Sequence, residues 1–125
     1  MHHSRLACVV IDCRTDDLQK DTDFWSGALG LPLRYGPEGE PPYAGLQTPD
    51  DQPHVLLQQV EHESRVHLDI ETDDIEAEVK RLEALGAKRI GNVRSWCVME
   101  APSGQRFCVV KPQRADFPTG ATQWP

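Results

Sequence analysis

The chain has 125 residues, with 20 acidic against 13 basic side chains and a formal net charge of −7 at pH 7. That length fits one domain with a sizeable core. The acidic balance argues against nonspecific nucleic-acid binding and mildly favours cationic ligands.

No apolar run approaches the roughly 20 residues that span a bilayer, so no membrane partner is expected. Met1-His2-His3-Ser4-Arg5 has no signal-peptide apolar region. His2 and His3 are left outside the site reasoning. The 4 cysteines form no C-x-x-C pair, which points to free thiols and a cytoplasmic location.

Leu6–Cys13 is an apolar, β-branched run that reads as a buried strand. Thr15-Asp16-Asp17 can cap a helix, and Leu18, Trp25, Ala28 and Leu29 recur at helical spacing up to Gly30, a left-handed C-terminal cap. Pro32 stops continuation. Short strands are predicted over Pro32–Gly36, Tyr43–Thr48 and His54–Val60. Pro37–Pro42 and Pro49–Pro53 form loops between them.

Glu61–Ser64 reads as a linker. Arg65–Thr72 then alternates polar and apolar residues with period two. Val66, Leu68 and Ile70 share one face, expected against a helix. His67, Asp69 and Glu71 share the other, expected on a cavity. Asp73 or Asp74 caps the next helix, with Glu76 placed as in a capping box. Ile75, Val79 and Leu82 form its apolar stripe, and Gly86 ends it. Strands follow at Lys88–Ile90, Trp96–Glu100 and Arg106–Lys111. The tail from Pro112 to Pro125 has no periodicity and is expected to wrap the surface or a partner subunit, or to be loose.

Both halves thus run strand, helix, three strands. Ala28-Leu29-Gly30-Leu31 matches Ala84-Leu85-Gly86-Ala87. Cys8–Asp12 lies over His67–Glu71, which puts Cys8, Val10 and Asp12 on the face matching His67, Asp69 and Glu71. The fold class expected is α+β, a single domain over residues 1–125. It comprises two βαβββ modules at about 5–60 and 65–111 and a tail at 112–125. The modules form a curved mixed sheet around a concave pocket, with helices on the outer face.

Val9–Cys13, Phe24-Trp25 followed by Ala28–Leu31, Val66-His67-Leu68-Asp69, Leu85-Gly86-Ala87, Trp96 and Pro102-x-Gly104-x-x-Phe107-Cys108 stand in an order and spacing that resembles the vicinal oxygen chelate superfamily, in its small glyoxalase-like branch. The resemblance covers about residues 5–111. It implies a small-molecule pocket, with lyase, isomerase or dioxygenase activity on a polar organic substrate. As a second reading it admits a metal-free protein that sequesters a cationic drug or metabolite, of the bleomycin-resistance type, and as a third a regulatory or partner module without chemistry. It also implies a homodimer.

The resemblance places metal-ligand positions at Cys8, Gln58, His67 and Cys108. Two of these are thiols, and the carboxylate usual on the final strand is missing. No cofactor is therefore predicted; a divalent metal, if present, would use those four residues. His67 is the candidate catalytic residue, read as a ligand, a general base or a hydrogen-bonding group, with a satisfied structural histidine as the alternative. Cys8, Asp12, Gln58, His67, Asp69, Trp96 and Cys108 are the candidate ligand-binding residues. Trp96 either covers the pocket or packs in the core.

Overall fold

Strand alternation and helical spacing resolve, in the computed structural model, into nine strands and two helices covering residues 1–125. In chain order these are β1 (His2–Arg14), α1 (Leu18–Leu29), β2 (Leu33–Glu40), β3 (Tyr43–Leu46), β4 (His54–Val60) and β5 (Arg65–Thr72). They continue as α2 (Ile75–Ala84), β6 (Lys88–Val93), β7 (Trp96–Glu100), β8 (Arg106–Val110) and β9 (Thr122–Trp124). The fold is α+β, built on a mixed nine-stranded sheet. No helix is long and apolar enough to cross a membrane.

The chain divides into two compact units. One is Cys8–Val66; the other joins Met1–Ala7 to His67–Pro125. Cys8–Val66 has the strand order β2-β3-β4-β1. β4 lies parallel to β1, with Asp12 beside Gln58, and antiparallel to β3, with Tyr43 beside Gln58. Asp17 caps α1 by accepting from Lys20 N, and Gly30, at φ 68°, closes it in the left-handed region that a side chain would strain. The core of this unit is Cys13, Leu18, Ala44, Leu46 and Leu57, with Ile11, Trp25, Leu31 and Val55 packed against it. A Cβ on Gly45 would fall 2.5 Å from the Tyr35 ring, so the missing side chain is what lets the ring lie on β3.

The other unit has the order β1-β5-β8-β7-β6. β5 and β8 are parallel; β7 is antiparallel to both β8 and β6. Asp74 caps α2, accepting from Ala77 N. Val79 and Leu82 of α2 pack with Cys97, Met99 and Val109, and Ile75 and Ile70 lie against them. The helix stripe read from the sequence is thus the one that is buried.

β1 contributes to both units, and its burial alternation is interrupted within it. His2 and Ser4 are buried in alternation, then Ala7 and Cys8 are buried in succession, and Val10 and Asp12 resume the alternation from Cys8. The division between the units falls at that point.

Four expectations are corrected. β1 starts at His2, not Leu6, because the tail supplies it with a partner: β9 pairs antiparallel with His2–Ser4. The tail is accordingly ordered on its own chain. β2 runs on to Glu40 through residues read as a loop, held by pairing of Glu40 with Tyr43. The face of β5 read as covered is largely open, with Val66 55% and Leu68 46% exposed. α2 lies over β6, β7 and β8, so of the three apolar side chains only Ile70 joins the core. Glu71, on the face expected to be polar and open, is fully buried.

The start of β1 is fixed to α2 by charge. Glu78 is fully buried. Its carboxylate accepts from His2 Nε2 at 2.8 Å and from Arg81 Nε and Nη2 at 2.8 and 2.7 Å. Burial works to raise the Glu78 carboxyl, but the hydrogen bonds from Arg81, His2 and Ser4 outweigh it and hold the group below the usual range. The Arg81 guanidinium in turn lies 3.8 Å from the centroid of Trp124 on β9, and Trp124 Nε1 donates to Ser4 Oγ at 2.8 Å.

A carboxylate lowered by folding contributes stability above its unfolded value, and loses it as pH falls through the folded value. Denaturation followed from neutral pH downward should show stability falling below about pH 4.5, the ordinary Glu value. Glu78→Gln should be less stable at neutral pH and show a flatter acid limb.

Candidate functional site

Period-two geometry puts His67 and Asp69 on one face of β5, and the parallel register sets Asp69 beside Cys108 on β8. Three donor types therefore meet. One ligand atom from each of His67, Asp69 and Cys108 lies within 4.8 Å of the others, and all three residues are half-buried. His67 Nε2 stands 3.5 Å from Asp69 Oδ1, at the edge of hydrogen-bond range. That oxygen is buried and makes no hydrogen bond. The cluster lies wholly inside the unit formed by Met1–Ala7 and His67–Pro125.

The remaining candidates fall as follows. Cys8, Asp12 and Gln58 belong to the other unit. Cys8 is buried, its thiol directed at Val9 O at 3.4 Å. Asp12 is buried with Arg65 Nε 3.9 Å from Oδ2. Gln58 Nε2 donates to the Tyr43 hydroxyl at 3.3 Å. Tyr43 was not singled out in the sequence, because its place beside Gln58 depends on strand pairing and not on any motif. Trp96 opens β7 beside Val93, half-buried.

The thiols differ. Burial, reinforced by Asp21 and Asp12, pushes Cys13 up to about 11, and burial also raises Cys97. Neither is a nucleophile at neutral pH. Cys108 is the one cysteine that is not fully buried.

The glyoxalase-like domain model matches residues 8–110. The chain belongs to the glyoxalase-like domain family. With it comes membership of the vicinal oxygen chelate superfamily. This glyoxalase-like chain matches a hypothetical protein from Bacillus halodurans with TM-score 0.58 and 19% identity, over 88% of this chain and 96% of that one. It matches methylmalonyl-CoA epimerase from Mycobacterium tuberculosis with TM-score 0.56 and 16% identity, over 86% and 87%. A glyoxalase/bleomycin resistance protein/dioxygenase superfamily member from Vibrio splendidus matches with TM-score 0.52 and 19% identity, over 85% and 98%. These likenesses show the fold. Among curated proteins none matches the sequence.

Superfamily members often use a divalent metal, so the donor set bears on the chemistry. An imidazole nitrogen, a carboxylate and a thiol suit a borderline-soft ion such as Zn²⁺ better than Mg²⁺ or Ca²⁺. The expectation of no cofactor rested on thiols without a carboxylate; Asp69 supplies the carboxylate two residues along the strand from His67.

Titration of the native chain with an aromatic disulfide reagent should modify Cys108 rapidly and Cys8, Cys13 and Cys97 only on unfolding. Cys108→Ser should abolish the fast phase, and added Zn²⁺ should slow it.

Proposed function

We propose that this glyoxalase-like domain handles a small polar organic molecule at the His67–Asp69–Cys108 cluster and holds a divalent ion of the zinc class there. The observation that carries this reading is the Asp69 oxygen, buried without a hydrogen bond 3.5 Å from His67 Nε2. Two light-atom ligands on one tetrahedral zinc, each bonded at about 2.0 Å, stand about 3.3 Å apart. The separation suits a shared ion better than a hydrogen bond. When bound, such an ion supplies Lewis acidity toward a ligand oxygen. The chain's own groups position it: β5 fixes the imidazole and carboxylate on one face, and β8 brings the thiol alongside.

Lyase or isomerase chemistry, in which a proton moves without net redox change, fits these groups. Where no ion is held, His67 beside Asp69 is the base for that proton. The second reading, a metal-free binder of an organic cation, is favoured by the net charge of −7.

Metal analysis of protein purified without a chelating column separates the two. About one zinc-class ion per chain is expected, with Asp69→Asn and Cys108→Ser each weakening its retention by about tenfold or more. A metal-free protein that binds organic cations equally well after treatment with a chelator supports the second reading instead.

We also propose that the chain is a homodimer, in keeping with the exposed apolar side chains Val66 and Leu68 along β5. Light scattering at micromolar concentration should report twice the mass of one chain, and Leu68→Asp should shift it toward the monomer.

A further inference from the structure

After β8 ends, the chain turns back over the face of β5 that carries the candidate site. Gln113 N and Arg114 N both donate to Glu71 Oε1, at 2.5 and 2.9 Å. Glu71 lies two residues from Asp69 on the same face, about 7 Å along the strand. The opposite oxygen, Oε2, accepts from Arg5 Nε at 2.7 Å. Arg5 reaches on to Asp116 Oδ1 at 2.7 Å and to Thr119 O, and its guanidinium lies 5.4 Å from the Phe117 centroid. Residues 113–119 thus form a strap anchored at the end of the site's own sheet face, within one unit.

The strap itself carries one cation, Arg114. His3 meets Asp73 and Arg5 meets Glu71, and Arg114 N donates to the same Glu71, two residues from Asp69 on β5. Arg114 Nη1 donates to Leu6 O at 3.2 Å. Arg114 Nε is buried and has no hydrogen-bond partner. The nearby carboxylates are already engaged: Glu71 by Arg5 and two backbone amides, Asp116 by Arg5. A buried guanidinium N–H without an acceptor is unfavourable, and the guanidinium fork matches a carboxylate.

We propose that Arg114 binds the carboxylate of a small organic acid whose other polar atoms meet His67, Asp69 and Cys108. This rests on the reading of that cluster as the ligand site and narrows its substrate class. Residues 111–125 lie beyond the segment matched by the family model, so this cation belongs to the chain's own tail. The strap's anchoring to Glu71 uses backbone amides, which a substitution at Arg114 leaves in place.

Thermal unfolding and calorimetric titration with pyruvate, oxalate and the neutral isostere pyruvamide test the proposal. Pyruvate and oxalate should raise the melting temperature of the native protein and pyruvamide should not. Arg114→Gln, folded by circular dichroism, should weaken binding of both acids by about tenfold or more, with Arg114→Lys intermediate. Equal effects of pyruvate and pyruvamide, no effect of either acid, or undiminished binding by Arg114→Gln each overturn it. His67→Ala separates this proposal from the site reading. If His67→Ala abolishes binding while Arg114→Gln is silent, the cluster stands and the anion role of Arg114 falls. If only Arg114→Gln weakens binding, the anion role stands and the cluster reading falls.

Discussion

Glu71 is fully buried, and an ionised carboxylate leaves water at a cost of several kcal/mol unless it is paired and hydrogen-bonded. Arg5 and the amides of Gln113 and Arg114 answer that requirement. The answer ties together three stretches far apart in sequence: the start of β1, the end of β5 and the segment after β8. Glu78 repeats the device one helix away, with His2 and Arg81. Two buried acids therefore organise both chain ends. The short β9 holds its place through Trp124, whose ring stacks under Arg81 and whose indole N–H meets Ser4. Three residues of strand pairing alone would be marginal.

β1 has to serve two units with one strand. A regular strand presents the same parity along its whole length. The alternation is interrupted at Ala7, which is buried together with Cys8. In one unit His2 meets the acid of α2; in the other Ile11 and Cys13 join the core with Leu18 of α1. Cys8 is buried, with a backbone carbonyl as a partner of its thiol. Its chemistry is that of a small packed group, whereas Cys108, reached from the half-buried face of β5 and β8, stands among polar neighbours.

The donor set at β5 and β8 is a compromise between hard and soft chemistry. A thiolate pair would neutralise a divalent ion and blunt its acidity. In the proposed reading, one thiol, one carboxylate and one imidazole would leave more of that acidity to a bound oxygen. Asp69 is decisive here because its oxygen has no hydrogen bond to give up. The same strand thus carries two carboxylates with opposite fates. Glu71 is saturated by the chain's own donors, and two residues earlier the buried Asp69 Oδ1 has no hydrogen bond.

Local patterns in the sequence determined much of the architecture. The caps within Thr15-Asp16-Asp17 and Asp73-Asp74, the left-handed Gly30 and the strand Arg65–Thr72 each depend on neighbours within a few residues; the structure selects Asp17 and Asp74 as the caps and keeps Gly30 and the strand where they were read. The two-module order and the family followed from the same signals, as did the shared face of His67 and Asp69. Tertiary structure decided what depends on partners from afar. Parity says which side chains share a face, but not what covers that face. Val66 and Leu68 were therefore read as covered and stand open, while Glu71 was read as open and is enclosed. The tail has no periodicity because its order comes from Glu71, Arg5 and β1, not from its own residues. Cys108 joins His67 and Asp69 only through the register of β8 on β5, which is set by the packing of whole strands and leaves no mark in any short stretch of sequence.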